Sequence, residues 1–66
     1  MQIKEFKSGR FQVWDGNQVL RPEELTWEGE HSAHHNFMFF GSLKKAKRAC
    51  KAVLEKDEVI KIHEVQ

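Results

Sequence analysis

One cysteine, one proline and four glycines are all that this 66-residue sequence holds of the residues that staple, break or loosen a chain. Cys50 has no partner for an internal disulfide, so the fold must stand on packing alone. A lone thiol also predicts reducing, cytoplasmic surroundings. No apolar run approaches the roughly 20 residues that span a bilayer, and Met1–Glu5 lacks the apolar stretch of a signal peptide. No membrane partner is therefore expected. Repeats, low-complexity segments and linkers are missing too, which predicts one domain over residues 1–66. The sequence has no glycine-rich phosphate loop, no nucleophile elbow and no carboxylate pair in an evident cleft. A chain of this size buries only about 60% of the surface it exposes when unfolded, which leaves little room for a deep cleft. These absences predict a non-enzymatic protein without a cofactor.

What is present is a normal globular mixture: 39% apolar, 32% charged, five Phe and two Trp. The net charge of +1 hides an asymmetry. Residues 1–30 carry four basic groups (Lys4, Lys7, Arg10, Arg21) against six acidic ones (Glu5, Asp15, Glu23, Glu24, Glu28, Glu30). Residues 31–66 carry seven basic groups (Lys44, Lys45, Lys47, Arg48, Lys51, Lys56, Lys61) against four acidic ones (Glu55, Asp57, Glu58, Glu64). Such a split marks either two differently charged surfaces or two halves that attract each other within the fold.

Ile3–Phe6, Arg10–Trp14 and Val19–Leu20 read as a three-stranded meander with turns at Ser8-Gly9 and Asp15-Gly16. A two-residue turn at Ser8-Gly9 sets Phe6 opposite Phe11. Pro22–Leu25 reads as one helical turn, Thr26-Trp27 as a short extended piece, and residues 28–36 as a polar loop. The apolar Phe37–Phe40 run suits a strand buried on both faces. Ser42 then caps a helix running to about Lys56, in which Leu43, Ala46, Ala49, Cys50, Val53 and Leu54 fall on one arc. Val59–Val65 is β-branched and predicts a last strand, parallel to 37–40 if the two share a sheet. The expected fold is α+β: about four strands, antiparallel or mixed, with one amphipathic helix on one face, in β-β-β-β-α-β order. The edge strand Ile3–Phe6 is free to pair across a two-fold axis, but nothing in the sequence defines the oligomeric state.

The helix carries the main functional signal. Lys44, Arg48 and Lys51 form one stripe opposite the apolar arc, with Lys45 and Lys47 at its edges. Cations in a helix's first turn oppose its dipole, at about 0.3–1 kcal/mol each, so local stability did not select Lys44 and Lys45. The stripe reads as a contact surface for an acidic protein patch or for phosphates, although a merely solvated face has the same composition. Trp27, set among Glu24, Glu28 and Glu30, reads as an aromatic anchor with an acidic rim. The candidate partner-binding residues are thus Lys44, Lys47, Arg48, Lys51, Trp27 and Glu28. His31, His34 and His35 form a cluster whose spacing brings two rings within reach of one metal but matches no zinc signature; no metal ligand is assigned. Cys50, on the apolar arc, reads as a small core residue.

An aromatic strand leading into a basic helix, Phe37 to Leu54 behind a short meander, resembles the three-stranded, one-helix arm-binding domains of phage integrases. That likeness covers layout and no motif, and it implies nucleic acid as a partner without assigning residues. In size and layout the whole chain also resembles the short accessory proteins of bacteriophages, many of which inhibit a host enzyme. The leading expectation is a cytoplasmic binding or regulatory protein that docks on a larger protein. The alternatives are a nucleic-acid-binding module using the helix face and a metal-dependent function at the His31/His34/His35 cluster. A pI near 7.9 speaks for the first, since dedicated nucleic-acid binders usually exceed about 9.

Overall fold

The computed structural model describes residues 1–57 and 63–65. Four antiparallel strands, β1 (Gln2–Glu5), β2 (Phe11–Asp15), β3 (Gln18–Arg21) and β4 (Thr26–Gly29), lie in the order β1-β2-β3-β4. Two 3₁₀ turns follow, Glu30–Ser32 and Asn36–Met38, and then the helix α1 (Leu43–Asp57). The protein is a small α+β fold.

Turn chemistry sets the register. Gly9, at φ 83°, ends a three-residue loop in which the Phe6 carbonyl accepts from the Gly9 N–H at 2.9 Å. Only glycine takes that backbone conformation without strain. The extra residue places Glu5 opposite Phe11 and Phe6 beside Arg10, so the Phe6–Phe11 pair expected from a two-residue turn does not form. Phe6 instead meets the Phe39 ring edge-on at 5.3 Å. The next turn has two central residues, and Gly16 occupies the first of them at φ 61°, as a type II′ hairpin requires. Pro22–Leu25 closes one helix-like turn, with the Leu25 N–H on the Arg21 carbonyl at 2.8 Å.

The sheet is covered on both sides. Val13 and Leu20 pack with Ala46, Ala49 and Val53 of α1 and with Phe40, joined by the half-buried Ile3, Phe11, Leu25, Trp27 and Cys50. Strand alternation sends Gln12 and Val19 to the opposite face, where both are fully buried. Residues 30–38 cover that side: the Gln12 Nε2 donates to the Ala33 carbonyl at 2.7 Å, and the Gln12 Oε1 accepts from the Trp14 indole N–H at 2.9 Å.

The Phe37–Phe40 run is not a strand. Its first two residues belong to the second 3₁₀ turn, and the run divides between the two sides of the sheet. Phe37 is 48% exposed, Met38 is fully buried, and Phe40 joins the helix-side core. Only Phe40 pairs with the sheet: it exchanges two backbone hydrogen bonds with Phe11, at 3.0 and 2.7 Å, in the slot beside β2 that β3 vacates. The fourth strand is the Thr26–Gly29 segment. All pairings among the described strands are antiparallel. Of the expected strand Val59–Val65, residues 59–62 lie outside the described residues, and residues 63–65 are exposed without strand pairing.

α1 starts where its cap predicts. The Ser42 Oγ accepts the backbone N–H of Lys45 at 3.2 Å, satisfying one of the donors a helix start leaves unpaired. Ser42→Ala is expected to cost about 1 kcal/mol and to lower the melting temperature by roughly 4–8 °C. Thermal unfolding followed by circular dichroism checks this. An unchanged melting point would show that the cap contributes nothing.

Candidate functional site: a cationic helix face beside an apolar groove

The buried side of α1 is narrower than the apolar arc in its sequence. Ala46, Ala49 and Val53 are buried, whereas Leu43 is 41% and Leu54 62% exposed. Small residues at 46 and 49 let the helix approach the sheet closely, and the two leucines fall beyond its edge. On the outer side, Lys44, Lys45, Lys47, Arg48 and Lys51 are all exposed.

None of these five cations makes an ion pair among the described residues. The ion pairs found there join Arg21 to Glu24 (3.9 Å), Arg21 to Glu28 (3.8 Å) and the terminal ammonium to Asp15 (3.9 Å). The acidic and basic halves of the sequence therefore do not neutralise each other across the described part of the fold. The helix presents a field of one sign, interrupted by Glu55 near its end.

Trp27 and Glu28 do not join that face. As consecutive strand residues they point to opposite sides of the sheet. Trp27 packs half-buried against the helix-side core. Glu28 leans on Arg21 on the other side, and its Oε2 is buried without a hydrogen-bond partner. The Arg21 guanidinium also lies over the Phe37 ring at 4.7 Å. Trp27 stays partly exposed, but Glu28 lies on the opposite face of β4 and so does not rim it.

The histidines are spread through the packing of residues 29–37. The His31 imidazole rests against Gly29, close enough that a Cβ there would come within 2.8 Å of the ring. His34 and His35 lie ring to ring at 4.2 Å, and His35 stacks on Phe37 at 5.0 Å. No three His, Cys, Asp or Glu side chains converge as a metal site among the described residues. Cys50 is half-buried, and loss of solvation pushes its thiol above the ordinary cysteine range, which keeps it protonated at neutral pH.

An open groove of about 260 Å³ runs between the β3–β4 turn and α1, with walls from Pro22, Leu25, Ala49 and Ala52, Phe40 beside them, and Lys45 and Arg48 as its polar lining. Its only trace in the sequence is the i, i+3 spacing of Ala49 and Ala52 alongside that of Lys45 and Arg48. Its other wall comes from a turn more than twenty residues upstream. Leu25 adopts φ 54°, a left-handed conformation that costs a non-glycine residue about 1–2 kcal/mol.

Fold and site together define a class: a sheet-and-helix α+β domain with an unpaired cationic helix face flanked by an apolar groove. No protein-family model matches the chain, and neither a curated protein nor a solved structure matches it. No described helix is long and apolar enough to cross a membrane.

Proposed function

We propose that the chain is a non-enzymatic, cytoplasmic binding protein that docks through the outer face of α1 on an acidic surface of a larger protein. One observation carries this reading: Lys44, Lys45, Lys47, Arg48 and Lys51 share an exposed face and have no acidic partner among the described residues. Two of the five stand in the first helical turn, where no acid offsets them and the dipole opposes them. Charges held against local stability and left unpaired suit an intermolecular role. On this reading the chain acts by occupying its partner's surface, the mode that the resemblance to phage accessory proteins implies.

The triple variant Lys44→Glu/Arg48→Glu/Lys51→Glu tests it. Its thermal stability is expected to equal or slightly exceed that of the wild type, because the three side chains are exposed and Lys44→Glu removes a clash with the dipole. Its affinity for the partner is expected to fall at least about tenfold, with the residual binding no longer weakened by salt. Affinity capture from lysate with and without nuclease, followed by mass spectrometry, supplies the readout. A captured protein that survives nuclease and is lost with the triple variant supports the reading. Material released by nuclease assigns the face to nucleic acid, and capture unaffected by charge reversal removes the face from the function.

A further inference from the structure

The groove beside the cationic face has the size, lining and charge of an anchor pocket. We propose that it takes one large apolar side chain from an acidic segment of the partner protein, with that segment's carboxylates on Lys45 and Arg48. This deepens the reading of α1 as a protein-docking face and rests on it. At about 260 Å³ the groove falls below the about 300–1,000 Å³ of pockets that enclose whole small molecules, so a single side chain is the better fit. Its walls at Pro22, Leu25, Ala49 and Ala52 are apolar, and the two polar side chains that line it, Lys45 and Arg48, are both cationic. An apolar anchor seated in a pocket with a polar rim is a usual arrangement at binding interfaces. Leu25, whose backbone is left-handed at φ 54°, gives its side chain both to this wall and to the helix-side core, so the wall is fixed by the fold.

Charge also sets how the segment lies. Glu23 and Glu24 are exposed on the turn that forms the far lip, so the incoming carboxylates must face α1.

The test uses a short fluorescein-labelled peptide rich in Asp and Glu with one central Phe, and a twin in which that Phe is Ala. Anisotropy titrations against the full chain are expected to show the Phe peptide binding about ten- to a hundredfold more tightly. Ala52→Phe, which fills the groove without changing charge, is expected to abolish that advantage while leaving the weaker, salt-sensitive binding of the twin. Should this variant not fold, wild-type amide shifts decide: changes at Leu25, Ala49 and Ala52 with the Phe peptide, and none with its twin, support the proposal. Equal affinities for the two peptides, or a Phe advantage that survives Ala52→Phe, overturn the groove but leave the cationic face standing. If neither peptide binds, the protein-docking reading falls and the groove proposal with it. A DNA duplex that outcompetes the Phe peptide and ignores Ala52→Phe overturns both in favour of nucleic acid.

Discussion

Replacing Phe40 by alanine is expected to remove about a third or more of the domain's stability at 25 °C. Phe40 is 6% exposed and packs with Val13, Leu20, Ala46, Ala49 and Val53, so it ties helix to sheet. Truncating a buried phenylalanine costs about 3–5 kcal/mol through lost transfer energy and the cavity left behind. The whole stability of a domain this size is only about 3–10 kcal/mol. The corresponding fall in melting temperature is roughly 12–40 °C. The backbone pairing of Phe40 with Phe11 does not compensate, since those two hydrogen bonds hold the chain in place without filling the core. Phe37→Ala is the control. Phe37 is 48% exposed and engages the sheet through Arg21, a cation–π contact worth about 0.5–1 kcal/mol at such sites. Urea unfolding of both variants, followed by far-ultraviolet circular dichroism, separates them. Equal losses would mean that Phe40 is not the residue joining the two layers.

The second large effect is expected at Gln12. Gln12→Leu preserves volume but strands two polar groups: the Ala33 carbonyl loses its donor, and the Trp14 indole N–H loses its acceptor. A buried group left without a partner costs about 1–3 kcal/mol. Trp14 is only half-buried and can recover water, so the loss falls mainly on Ala33. The expected total is about 2 kcal/mol, concentrated in one place. Residues 30–38 should loosen from the sheet while α1 stays closed. Amide hydrogen exchange reads this directly. The N–H groups of Ala33, His35 and Met38, which hold the two 3₁₀ turns, are expected to lose protection. Those of Ala49 and Val53 should change far less. A uniform loss across both regions would show that Gln12 belongs to the general core and is not a specific tether.

The exposed aromatic and histidine side chains of residues 31–37 gain a structural account from that tether. Held down by Gln12 and by the Arg21–Phe37 contact, this segment covers the side of the sheet that α1 leaves open. The cationic helix face and the groove lie on the other side, so a binding event there need not disturb it. Arg21 is central to the covering layer, because its guanidinium serves Glu24, Glu28 and Phe37 together.

Elements with local causes are legible in the chain before it folds. The Ser42 cap and the 3.6-residue spacing of Ala46, Ala49 and Val53 fixed α1, and with it the outward stripe of Lys44, Lys47, Arg48 and Lys51. Gly9 and Gly16 marked the two turns of the meander, because positive φ is a property of single residues. Features that depend on what lies across the chain were set by packing. Phe37–Phe40 has the composition of a buried strand, yet burial from two directions split it between opposite sides of one sheet. Trp27 and Glu28 are neighbours in sequence and were separated by the pleat of β4. Gln12 is a polar residue in a strand until Ala33 closes over it. The groove exists only because the Pro22–Leu25 turn and α1 approach each other, and no periodicity encodes a space between two elements. Periodicity and caps are short-range signals, whereas a face, a register and a cavity are long-range outcomes of packing.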